Sequence, residues 1–139
     1  MTNSRHGHLG VLPGPAMAAA SSYRITVNGV QAHGSRPWDS IDPIMATAQL
    51  IESLNTVVSR RINIINNPAV ISVGMVQAGT RNNIIPDKSQ ITGTIRTFDP
   101  DLRAEIYDEI RQIARGVAEG TGTKVDVCLL YTSDAADDC

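Results

Sequence analysis

Cysteine is nearly absent from this sequence: Cys128 and Cys139 are the two among 139 residues, and both sit close to its end. They are too few and too close together to define a disulfide framework or a metal cluster, and they say little about redox compartment. Long apolar runs are missing too. No stretch approaches the roughly 18 residues needed to span a bilayer, and residues 1–20 lack the basic, apolar and small-residue zones of a secretory signal. Neither sign of charge dominates, with 12 Lys and Arg interspersed among 14 Asp and Glu. Without a basic stripe or a basic amphipathic helix, nucleic acid and membrane surfaces are not expected partners. The expectation is a cytoplasmic globular domain with one sizeable core, which a chain of this length with 42% hydrophobic residues can bury.

The usual carriers of complete chemistry are absent as well. There is no Gly-rich phosphate loop, no Ser or Cys nucleophile with a base at plausible spacing, and no carboxylate cluster. His6-Gly7-His8 has the look of a metal site, but two histidines without a third ligand do not make one. The sequence does not encode a full active site.

What is present is a regular alternation of elements. Residues 1–17 are rich in Gly, Pro and His with no period, a poorly ordered lead-in or linker remnant. Tyr23, Ile25 and Val27 alternate with Arg24 and Thr26 as in a half-buried strand, which Asn28-Gly29 turns or ends. Asp42-Pro43 starts a helix that runs to about Arg60, because the Asp side chain accepts from a free N–H and Pro at the first position sacrifices no bond. Ile44, Ala48, Ile51, Leu54 and Val58 form its predicted inward stripe. A second strand follows at 69–78, with Ile71, Val73 and Met75 on one face. A third spans 90–97, with Ile91, Gly93 and Ile95 on one face and Thr92, Thr94 and Arg96 on the other. Asp99-Pro100 repeats the start device, and Leu102, Ile106, Ile110, Ile113 and Val117 mark a second amphipathic helix that Gly120 and Gly122 can end. A fourth strand begins at Lys124 and is expected to stop at Val127.

Strand, helix, strand, strand, helix, strand is the α+β ferredoxin-like sandwich, a four-stranded antiparallel sheet with two helices on one face. Its edges, together with an exposed apolar helix flank predicted at Met45, Leu50 and Val57, invite pairing with a second copy; the same side chains could instead fill the core.

Three polar residues stand out. His33 lies just beyond the first strand, in a segment whose Gly34 and Pro37 fix the backbone; its imidazole can donate to a developing oxyanion, or merely satisfy a nearby carbonyl. Asn83 offers an amide to a carbonyl or carboxylate, and is equally a common turn former. Arg96 presents a planar fork suited to a carboxylate, with a solvated strand end or a pair with Asp99 as the plainer alternatives.

Residues 128–139 show neither strand alternation nor helical period, and closely resemble the conceptual translation of a sequencing-library adapter. They are expected to be appended rather than native, with the natural sequence continuing differently after Val127.

Gly29-Val30-Gln31-Ala32-His33-Gly34-Ser35-Arg36-Pro37, Arg81-Asn82-Asn83-Ile84-Ile85-Pro86-Asp87 and Gly93-Thr94-Ile95-Arg96-Thr97-Phe98, in that order with helices between, resemble the lid or dimerisation domain of the M-twenty metallopeptidases and amidohydrolases. That family includes aminoacylase, carboxypeptidase G and hippurate hydrolase. The resemblance covers about 14–127, and the dimerisation domain itself is expected at 18–127. It implies a homodimer, a substrate that is an N-acyl amino acid or small peptide, and two divalent metals, zinc by family habit, in a separate catalytic domain. It also implies that His33 stabilises the oxyanion in the partner's active site, while Asn83 and Arg96 bind substrate. No segment resembles the family's metal ligands or its glutamate base, so the chain alone is expected to hold no catalytic metal and to hydrolyse nothing. A stand-alone module binding a small metabolite, or a purely structural dimerisation module, remains the alternative.

Overall fold

The computed structural model describes residues 19–131 and residue 139. His6 and His8 and the rest of the lead-in lie outside the described residues, as do residues 132–138. Among the described residues, six strands and two α-helices follow one another: β1 (Ala19–Asn28), β2 (Ala32–His33), α1 (Pro43–Thr56), β3 (Ala69–Ala78), β4 (Ile84–Ile85), β5 (Lys88–Thr97), α2 (Pro100–Thr121) and β6 (Lys124–Tyr131). The four long strands form one antiparallel sheet in the order β3-β5-β1-β6, the arrangement predicted from the sequence. The two short ones, β2 and β4, pair separately.

Alternation along the strands decides where the helices lie. Tyr23, Ile25 and Val27 of β1, Ile91 and Ile95 of β5 and Leu129 of β6 are fully buried, whereas Arg24, Thr94 and Arg96 between them are exposed. Both helices cover the first face. From α2, all five stripe residues read in the sequence are buried, together with Tyr107 and Ala114. Asp99 caps this helix, its Oδ1 accepting from the Asp101 N–H at 2.8 Å, and Gly122 ends it with φ +73°, a conformation open to glycine.

The first helix starts where expected, with Asp42 Oδ1 accepting from the N–H groups of Ile44 (2.8 Å) and Met45 (3.3 Å). It loosens into a π-helical turn at Val57–Arg61. Its buried face, however, is rotated from the predicted one: Pro43, Ala46, Thr47, Leu50 and Leu54 point inward, while Ile44 and Ala48 are exposed. Leu50 and Val57, expected on an outer flank, have no exposed surface, and of that trio only Met45 faces out. The cause is Thr47, whose hydroxyl lies 2.6 Å from that of Ser89, which in turn donates to the Pro43 carbonyl at 3.1 Å. A stripe counted from apolar residues cannot include a threonine held in the core by hydrogen bonds.

Two further expectations shift. A bulge between Val73 and Met75 throws Met75 onto the open face beside Thr92, so the predicted common face of Ile71, Val73 and Met75 is broken at Gly74. The fourth strand does not stop at Val127. It runs to Tyr131 because β1 offers ladder partners out to Ser21, and Leu129 fills the core while Leu130 faces away. Cys128 is joined to Cys139 by a disulfide.

Candidate functional site

Beyond the end of β1 the chain is stitched to the segment that precedes β5. Gly29 N–H donates to the Asp87 carbonyl at 2.8 Å, and Val30 and Ile41 exchange two backbone bonds. Between these ties, β2 pairs with β4, Ala32 opposite Ile85 and His33 opposite Ile84. Two-residue strands are too short for any period, and nothing in the sequence signals them. They nevertheless decide the site: the ribbon brings His33 beside Asn83, and the Gly34 N–H closes it by donating to the Asn83 carbonyl at 2.8 Å. A Cβ on Gly34 would approach that carbonyl oxygen to 3.1 Å, so the close approach of the two segments uses the missing side chain.

His33 is exposed and its backbone is held on both sides, since its carbonyl also accepts from the Arg36 N–H at 2.9 Å. Its ring turns toward Ser35. The Ser35 N–H donates to Nδ1 at 3.2 Å, and the Ser35 hydroxyl lies 2.8 Å from the same nitrogen. A backbone N–H can only donate, so Nδ1 is the acceptor and the neutral ring carries its proton on Nε2. The histidine therefore presents an outward N–H donor. Downstream, a short helical turn at Pro37–Asp39, tied by an Arg36–Asp39 ion pair at 2.9 Å, carries Trp38 with 74% of its surface exposed. On the Asn83 side, Gly34, Ile44, Thr80, Arg81 and Ile84 line an open hollow of about 460 Å³.

Arg96 is not part of this cluster. It lies on the helix-free face of the sheet, opposite Ala20 of β1 and Val70 of β3, whereas the His33 end of β1 pairs with Lys88. The eight residue-to-residue steps from Lys88 to Arg96 span roughly 26 Å at about 3.3 Å per step. Asp99 does not pair with Arg96, because its carboxylate caps α2 and accepts from Asn67 Nδ2 at 2.9 Å. Sequence reasoning singled out His33, Asn83 and Arg96 as candidates but gave neither this separation nor the contact of Ser35 with His33; only the pairing register reveals the first and only the turn geometry the second.

Among the described residues no three His, Cys, Asp or Glu side chains converge, so these residues do not fit a metal centre. No helix among them is long and apolar enough to cross a membrane.

The fold is a ferredoxin-like α+β sandwich, with His33 and Asn83 near one end of β5 and Arg96 near the other. Residues 18–121 match the peptidase dimerisation domain family, and the chain belongs to it. It is 42% identical over 120 residues to N-acetylcysteine deacetylase of Bacillus subtilis, covering 86% of this chain and 31% of that protein. With N-acyl-L-amino acid amidohydrolase of Geobacillus stearothermophilus the identity is 36%, over 86% of this chain and 32% of the relative. Among solved structures, a dinuclear metal binding peptidase of Bacillus subtilis is 33% identical with a TM-score of 0.67, over 88% of this chain and 28% of the other. An aminohydrolase described as putative, from methicillin resistant Staphylococcus aureus, superposes with a TM-score of 0.81 at 27% identity, over 86% and 32% of the two chains. The chain thus spans about a third of the length of the relatives it matches.

Proposed function

We propose that this chain is the lid of a homodimeric, metal-dependent amide hydrolase acting on N-acyl amino acids or small peptides, and that it supplies residues to two different active sites. The observation that carries this reading is the length of β5 between the His33–Asn83 cluster and Arg96. A small N-acyl amino acid cannot touch both ends of that strand. If all three residues serve one kind of substrate, then His33 and Asn83 serve the partner's site and Arg96 the site of its own subunit.

The chemistry fits each position. The Nε2–H of His33 donates to the amide oxygen as it gains charge, and the Asn83 amide holds a polar group of the same substrate. The Arg96 guanidinium forms a two-pronged contact with the free carboxylate of the amino acid. The metals and their ligands, zinc by family resemblance, are assigned to sequence outside this chain.

Mixed dimers of the complete enzyme test the division. His33→Ala in both subunits lowers kcat by roughly a hundred- to a thousandfold, and Arg96→Ala in both raises KM for carboxylate substrates. A dimer of one His33→Ala and one Arg96→Ala subunit keeps one site with both groups, and is expected to recover about half of wild-type turnover. Turnover no higher than that of the two parent variants would refute the division. A His33→Ala enzyme within a fewfold of wild type would remove the role given to His33.

A further inference from the structure

We propose that Ser35 is a positioning residue that locks the His33 imidazole as the Nε2–H tautomer and aims that N–H away from its own chain, an inference that rests on the reading of His33 as an oxyanion donor. Two donors from one residue converge on Nδ1, the backbone N–H at 3.2 Å and the hydroxyl at 2.8 Å. If the proton moved to Nδ1, it would face the Ser35 N–H, and a hydrogen bond would be replaced by the opposition of two donors. The backbone N–H fixes Nδ1 as an acceptor and so makes the hydroxyl its second donor; losing the hydroxyl removes one of the two hydrogen bonds that hold this nitrogen unprotonated. The backbone that carries these donors is itself pinned, by Gly34 N–H to the Asn83 carbonyl and by Arg36 N–H to the His33 carbonyl. Ser35 therefore completes a frame that restricts both the ring's rotation and its proton.

An oxyanion donor needs this restriction. Preorganised donors stabilise developing charge because no reorientation is required at the moment of reaction. A ring whose proton sits on Nδ1 a fraction of the time spends that fraction offering a lone pair to the oxyanion.

The experiment has two arms. In the present chain, labelled with nitrogen-15, long-range proton–nitrogen correlation reads the tautomer of the neutral His33 ring. Wild type is expected to show Nε2–H throughout; Ser35→Ala should admit a measurable Nδ1–H fraction while leaving backbone shifts of the sheet unchanged, and Ser35→Thr should restore the wild-type pattern. In the complete hydrolase, Ser35→Ala is expected to lower kcat about tenfold at unchanged KM, with rescue by Ser35→Thr and no further loss in a His33→Ala background. A wild-type ring that favours Nδ1–H, or a Ser35→Ala ring identical to wild type, overturns the proposal. A changed tautomer with unchanged kcat supports the positioning by Ser35 and instead refutes the catalytic reading of His33.

Discussion

At the scale of single residues, the centre of the sheet is built around one glycine and one tyrosine. A Cβ on Gly93 would collide with the Ser72 carbonyl and the Tyr23 ring, at 2.1 and 2.4 Å, so the tyrosine lies across the space that a side chain would fill. Its hydroxyl donates to the Ser72 carbonyl at 3.1 Å. Burial pushes the Tyr23 phenol up from 10.0 to about 12. The unfolded chain then gives up this proton before the folded one, so the stabilisation is intact below pH 10 and is lost as pH rises toward 12. Urea melts between pH 9 and 11 should show stability falling by about 1.4 kcal/mol per pH unit above pH 10. Tyr23→Phe should remove that part of the slope, with a cost of about 1 kcal/mol at neutral pH from the lost hydrogen bond. A slope unchanged in the variant would assign the alkaline loss to other groups.

At the scale of elements, most of the fold was legible because the signals were local and repeated. Alternation gave β1, β3 and β5, and both helix starts were written in an Asp-Pro pair whose carboxylate does cap the helix. Removing one such cap tests how much the start matters. Asp42→Ala frees the N–H groups of Ile44 and Met45, and should destabilise the chain by about 1 kcal/mol, read as a shift in the denaturation midpoint with an unchanged slope. What sequence could not supply was phase and register. The first helix has apolar residues on most of its circumference, so the choice between the Ile44 and the Leu50 faces fell to a Thr47–Ser89 hydrogen bond across 42 positions of sequence. The bulge at Gly74 and the two-residue ribbon that joins His33 to Asn83 are likewise decided by pairing. The candidate residues were readable from their motif types; which of them share an end of the sheet was not.

At the scale of the whole molecule, the edge strands of the sheet among the described residues are β3 and β6. Along β3, Val70, Met75 and Val76 are each about half exposed, and Met45 of α1 is 59% exposed. In the proposed dimer this edge and its helix flank meet a second copy. Lysine at both Met45 and Val76 should convert the dimer to monomer in sedimentation equilibrium while leaving the far-ultraviolet circular dichroism unchanged. A dimer that survives both changes would move the interface elsewhere, toward β6.

The span of β5 then takes on a second meaning. On the proposed division of residues between two active sites, these ten residues of extended backbone, already needed to close the core, are also the ruler that separates His33 from Arg96. A change in that ruler would leave every side chain of the site intact and still put one of them out of reach. Natural variation in this domain should therefore tolerate altered loops far more readily than any altered count of residues between Asn83 and Arg96.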